Sequence, residues 1–117
     1  MLSNKIKTVL AGSVLCGLVF CGCNTQENST AKESAQAKTD TVLIDQMQFS
    51  PAEITINKGD TVLFINNDLV AHDATEVNKA WQSPTLQSGD SWKTVPEKTA
   101  DYYCSIHLVM KGKIVVQ

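Results

Sequence analysis

From residue 41 onward the chain alternates apolar and polar positions. Val42 and Ile44, then Met47 and Phe49, recur at alternate positions, and the phase slips at Asp45-Gln46 as a bulged strand would make it slip. Ile54 and Ile56 alternate next, Lys58-Gly59-Asp60 reads as a turn, and Thr61 to Ile65 is a short β-rich run. Further strands are predicted at Ser91 to Val95, Ala100 to Cys104 and Lys113 to Val116. No stretch repeats with a helical period and no internal repeat is present. Short strands separated by turn signals predict an all-β sandwich.

The residues before this pattern differ in kind. Asn24 to Asp40 contains Ser, Thr, Ala, Gln, Glu, Asn and Lys with no large apolar side chain, so it cannot bury enough surface to offset its chain entropy. Residues 23–40 are therefore expected to be a flexible tether, and 41–117 the folded domain. Within 1–22, Lys5 and Lys7 precede an apolar run from Val9 to Phe20, long enough for a signal segment and short of a membrane span. The run ends at Phe20-Cys21-Gly22-Cys23, which resembles a bacterial lipobox. Gly22 supplies the small residue before the cut and Cys23 the expected lipid attachment point, although Phe20 stands where Leu is usual. Cys21 is a poorer acceptor, and a plain secretory signal is the simpler alternative. The reading implies an exported protein, lipid-anchored at the extracytoplasmic face of a bacterial membrane, periplasmic or outer.

Charge narrows the partners. The 117 residues carry ten lysines, no arginine and twelve carboxylates. A chain starting at Cys23 would keep eight lysines, for a formal charge of about −4. Nucleic-acid binding depends on clustered basic side chains and is a poor reading of this chain.

Cysteine use leads to the chemistry. Cys16 and Cys21 would leave with the signal and Cys23 would be acylated, so Cys104 stands alone in the domain and has no disulfide partner. An unpaired thiol in an oxidising compartment is a liability unless something occupies the sulfur. Around it the chain reads Tyr103-Cys104-Ser105-Ile106-His107-Leu108-Val109-Met110, with a thiolate, an imidazole and a thioether at every third position. His72 is the only other histidine and lies 32 residues before Cys104, after Asn66-Asn67-Asp68-Leu69-Val70-Ala71. Two imidazoles, one thiolate and one weak thioether are the donors of a trigonal type 1 copper site with a long axial bond. Taken singly, each has an ordinary reading: a buried cysteine as a small hydrophobe, a structural histidine, a methionine filling core. Their joint spacing favours copper. Met47 is a rival axial donor, but its place in an early strand assigns it to the core, and Trp81 and Trp92 read as packing residues. With Cys104 and Tyr102 facing inward, Tyr103 faces out.

Residues 41–117 resemble the cupredoxin family, of the plastocyanin and amicyanin type. The matching features are Phe49-Ser50-Pro51, Lys58-Gly59-Asp60-Thr61-Val62, the Asn-rich approach to His72, Tyr103-Cys104-Ser105, and Met110-Lys111-Gly112-Lys113-Ile114-Val115-Val116. Cys-x-x-His-x-x-Met is the short ligand loop of amicyanin. The resemblance implies a Greek-key sandwich of seven or eight strands and one-electron transfer. It also implies His72 and His107 binding copper by ring nitrogens, Cys104 by thiolate and Met110 axially. Family members often place Asn after the first histidine and Pro before the second, where this chain has Asp73 and Ile106. A carboxylate at 73 would accept an N–H near Ser105 and lower the reduction potential, whereas an Ile106 N–H donated to the Cys104 sulfur would raise it. Asn67 is expected beside these residues around the metal.

Function follows less directly, because fold does not settle it. The leading expectation is an electron carrier exchanging single electrons with redox protein partners through His107. Leu69, Val70, Leu108 and Val109 are the candidate apolar docking patch, and the protein is expected to act as a monomer. A copper-delivery protein with exchangeable metal is the alternative. Catalysis is not expected, since copper oxidases and nitrite reductases need further histidines. Structural zinc seldom uses a thioether.

Overall fold

The computed structural model describes residues 36–117 without interruption, together with residues 12, 13 and 17. The chain divides into two units, Met1–Lys32 and Glu33–Gln117, and every element below belongs to the second. The expected signal segment and Cys23 lie outside the described residues.

Eight strands form two four-stranded sheets, with no helix among the described residues. The strands are β1 (Thr39–Asp45), β2 (Gln48–Ser50), β3 (Glu53–Ile56), β4 (Thr61–Asn66), β5 (Thr75–Glu76), β6 (Ser91–Thr94), β7 (Ala100–Tyr103) and β8 (Lys111–Val116). One sheet runs β2-β1-β4-β6 and the other β3-β8-β7-β5. Because β1 pairs parallel with β4, and β3 parallel with β8, the chain must leave each sheet and return to it. That interleaving is the Greek-key sandwich expected from the sequence.

The alternation translates directly into the core. In β4, Val62, Phe64 and Asn66 are fully buried while Thr61, Leu63 and Ile65 are half-buried. Val42 and Ile44 enter from β1, and Ile56, Tyr102 and Ile114 face them from the other sheet. Phe64 lies at the centre of an aromatic cluster, 5.4 Å from Tyr102 and 6.2 Å from Phe49 in edge-on geometry. Trp92 sits 6.0 Å from it, and Trp81 lies 5.7 Å from Tyr102, which bears out the packing role read for both tryptophans. The register places Gly112 opposite Tyr102. A Cβ at 112 would collide with the tyrosine ring, so only glycine lets that ring lie across β8.

Two expectations are corrected. The phase slip after Ile44 is a two-residue hairpin turn rather than a bulge: Gln46 and Met47 have φ of 51° and 60°, and Ile44 pairs with Phe49 across β1 and β2. Both devices shift the apolar pattern by one residue, which is why sequence cannot separate them. Met47 consequently sits at the turn, 39% exposed, and not in the core. Strand β5 is two residues long and carries no alternation to read. β1 also starts ahead of its apolar pattern, with Thr39 and Asp40 paired by backbone to Thr61 and Val62.

Asp60 fastens that leading edge. Its Oδ1 accepts the N–H of Lys38 at 2.8 Å and its Oδ2 the N–H of Asn57 at 2.9 Å. These bonds, the Lys38 N–H first, hold its carboxyl below the ordinary range. A depressed carboxylate contributes stability above its unfolded pKa of roughly 4, and that stability is lost as pH falls toward the folded value. Asp60→Asn is expected to lower stability at neutral pH and to flatten its decline between about pH 5 and 3. Urea unfolding across that range checks it, and equal slopes for the two proteins would count against the clamp.

Candidate metal centre

Two loops at one end of the sandwich carry the predicted donors. After β4 the chain folds around the buried Asn66, whose side-chain amide donates to the Val70 carbonyl at 2.8 Å and the Leu86 carbonyl at 2.9 Å. Its Oδ1 accepts the Asp68 N–H at 3.0 Å. This delivers His72 to a paired bridge with Leu86, through backbone bonds of 3.0 and 2.8 Å. Cys104 follows β7 directly. Its N–H donates to the Met110 carbonyl at 3.1 Å and the Met110 N–H donates to the His107 carbonyl at 3.0 Å, closing the loop on itself.

Cys104 and His72 are fully buried, Met110 is 2% exposed, and His107 is half-buried. Three donor atoms converge: His72 Nδ1 lies 3.7 Å from Cys104 Sγ, His107 Nδ1 lies 3.9 Å from that sulfur, and the two Nδ1 atoms are 3.2 Å apart. A triangle with those sides has a circumscribed radius of about 2.1 Å, and metal–nitrogen and metal–thiolate bonds run about 2.0–2.3 Å. A single ion with bonds of that length would fit among the three atoms. Buried thiolate is otherwise costly, and a cation there offsets the charge. Tetrahedral or trigonal N₂S donors with a thioether in the same loop suit copper better than a hard cation.

Carboxylates brace both histidine-bearing loops. Asp68 Oδ2 is 2.9 Å from His72 Nε2, placed to accept a proton carried on that nitrogen and so to leave Nδ1 free as a metal donor. The N–H of Met47 above all, with those of Gln46 and the His72 ring, holds the Asp68 carboxyl below its ordinary range against the cost of desolvation. Asp73, buried, accepts the Ser105 N–H at 2.6 Å on Oδ1 and the Ser105 hydroxyl on Oδ2. The loop-tying contact read from the sequence for a carboxylate at 73 is formed. The Asp73 N–H reaches the Cys104 sulfur at 3.4 Å. Among the described residues that is the backbone donor to the sulfur; Ile106, expected in that role, is 46% exposed at the surface instead.

Asn67 is also displaced from its expected place. Side chains alternate along β4, so Asn66 turns inward and Asn67 outward, where it is exposed and its N–H bonds the Ile44 carbonyl at 2.8 Å. Sequence reading passed over Asn66 and Asp68. The signal available for Asp68 was an acidic residue four positions before a candidate ligand histidine. Leu69 (94% exposed) and Val70 stand on the His72 loop, and Leu108 (66%) and Val109 (83%) follow the half-buried His107 on the other, all in solvent.

Residues 35–117 match the family described as copper binding proteins, plastocyanin/azurin family. The chain is 27% identical over 128 residues to amicyanin of Paracoccus denitrificans, with 98% of each chain covered. It is similar in structure to a methionine-to-alanine variant of amicyanin in the Cu(I) form, with a TM-score of 0.62 at 29% identity over 68% of this chain and 82% of that one. A copper-containing nitrite reductase from Thermus scotoductus gives a TM-score of 0.61 at 30% identity, over 66% of this chain and 22% of that larger one. Since the match runs through all eight strands and both histidine-bearing loops, the chain belongs to the plastocyanin/azurin family of copper-binding proteins.

Proposed function

We propose that this protein carries single electrons between redox proteins outside the cytoplasm, using one type 1 copper held by His72 Nδ1, Cys104 Sγ, His107 Nδ1 and Met110. The observation that carries the reading is the triangle of donor atoms at 3.2, 3.7 and 3.9 Å, sized for one ion. Bound copper would supply a reversible Cu(I)/Cu(II) couple. The chain supplies the rest. Asn66, Asp68 and Asp73 hold both loops by buried and part-buried hydrogen bonds, and a site that moves little between oxidation states loses little to reorganisation. Burial of His72, Cys104 and Met110 keeps water from that side, while His107 is the donor nearest solvent.

Electrons would enter and leave at the His107 edge, with Leu69, Val70, Leu108 and Val109 forming an apolar docking ring for a partner protein. Both histidines of the chain are used by this one set, leaving none to build a second, substrate-binding metal, so the reading is a carrier and not an enzyme. Export by residues 1–22, acylation at Cys23 and a tether ending ahead of Lys38 would hold the domain at the outer face of a membrane.

The test is to load the purified protein with one equivalent of Cu(II), then reduce and reoxidise it beside a competing chelator. The intense visible band should vanish and return over repeated cycles. Loss of Cu(I) to the chelator in each cycle would favour delivery and overturn the carrier. Asp73→Asn tests the electrostatics separately. The amide retains an acceptor for the Ser105 N–H while removing a negative charge that stabilises Cu(II), so the reduction potential should rise. An unchanged potential in a redox titration would remove that charge from the account.

A further inference from the structure

The turn between β1 and β2 is hydrogen-bonded to the Asp68 side chain of the His72 loop. Gln46 and Met47 both sit in the left-handed region, which two-residue hairpin turns usually fill with Asn, Asp or Gly. Neither residue is of that kind, and both are exposed, so their own packing does not hold the turn. Their N–H groups instead point together at Asp68, from Gln46 to Oδ1 at 2.8 Å and from Met47 to Oδ2 at 2.9 Å. Successive N–H groups in such a turn form a concavity that suits an anion. The carboxylate that fills it is the one whose Oδ2 lies 2.9 Å from His72 Nε2.

The carboxylate is anchored from behind as well. Its own residue's N–H donates to the buried Asn66 side chain at 3.0 Å, and the neighbouring Asn67 N–H ties the loop to the Ile44 carbonyl at the end of β1. Asp68 therefore has little freedom to swing: it is 15% exposed at the side chain and bonded at both oxygens. An acceptor fixed in this way selects one imidazole tautomer, because only the Nε2–H form can donate to it. The bare Nδ1 then faces Cys104 Sγ and His107 Nδ1.

We propose that Asp68 is a positioning residue that makes the tautomer and orientation of His72 depend on the β1–β2 turn. The turn holds the carboxylate, the carboxylate holds the ring proton on Nε2, and Nδ1 is presented to the metal before any metal arrives. A change in the turn, which carries none of the four proposed copper ligands, is thereby transmitted to the site. The inference rests on His72 being a copper ligand and names what prepares it for that role.

The experiment compares wild type, Asp68→Asn and Gln46→Val as full-length proteins. In the metal-free state, imidazole ¹⁵N shifts report the His72 tautomer and amide exchange reports the turn; Cu(II) affinity is then measured for each. Wild type should show a single Nε2–H tautomer. Asp68→Asn should give mixed tautomers, exchange at least about tenfold faster at the Gln46 and Met47 amides, and Cu(II) binding weaker by about 10- to 100-fold. Gln46→Val, whose β-branched side chain resists the left-handed conformation, should move the His72 signals in the same direction without touching the site. A wild-type proton on Nδ1 would overturn the proposal. So would faster turn exchange with unmoved His72 signals in both variants, which would make Asp68 a turn brace alone. If Asp68→Asn does not fold, Gln46→Val decides by the same signals. Imidazole signals that behave as expected in a wild-type protein giving no intense band with Cu(II) would uphold the positioning role and sink the copper carrier.

Discussion

Cys104→Ser is expected to leave a folded sandwich that gives no intense visible band with Cu(II) and binds the ion at least about 100-fold more weakly, taking the upper range measured for mere supporting residues as a floor. The physical reason is specific to sulfur. The band is a charge transfer from thiolate to Cu(II), and a serine hydroxyl is neither ionised at neutral pH nor soft. The fold should tolerate the change because the side chains are nearly isosteric and a hydroxyl can still accept the Asp73 N–H that now reaches the sulfur. Circular dichroism should therefore match wild type while the visible and paramagnetic resonance spectra do not. A variant that keeps the band would mean that the colour arises elsewhere and that the convergence of Cys104 with the two histidines serves only packing.

Phe64→Ala is expected to be the most destabilising substitution of a single core side chain, by about 3–5 kcal/mol. Phe64 is wholly buried in the middle of β4 and has Phe49, Tyr102, Trp81 and Trp92 around it at centroid distances of 5.4–6.2 Å. Its removal leaves a hole lined by rings that are fixed on four different segments and cannot close over it. For a domain of this size each kcal/mol is worth about 4–8 °C, so the melting temperature of the metal-free protein should fall by more than about 12 °C. Much of a total stability of about 5–15 kcal/mol would be gone. Copper binds only the folded state and should restore part of the loss by mass action. A fall of a few degrees in the metal-free protein would show that the cluster repacks and that the core is not organised around this ring.

What was legible in the sequence was everything governed by short-range periodicity or by donor chemistry. Alternation of two exposes the buried face of β4, of β7 and of β1 beyond Thr41, since neighbouring side chains on a strand must face opposite ways. The spacing of Cys104, His107 and Met110 is a property of one loop and can be read without coordinates. Asp73 could be placed because it adjoins His72, and its bond to Ser105 follows from that adjacency once the loops meet.

Other features depended on which segments lie side by side. The Asp45-Gln46 slip resolves into a turn only when Ile44 is seen opposite Phe49, because a turn and a bulge displace the pattern equally. Asn66 and Asn67 are chemically identical, and the strand's inward phase alone makes one the organiser of the loop and leaves the other in solvent. Asp68 became part of the site through the β1–β2 turn, 21 and 22 residues away, which no local pattern announces. The sequence by itself determined the donor set and the two-layer β architecture, because both are written in residue type and local spacing. Tertiary structure decided the carboxylate partner of His72, the partner of the Cys104 sulfur and the size of the donor triangle, because hydrogen bonds and metal distances depend on angstrom-scale placement of segments that are remote along the chain.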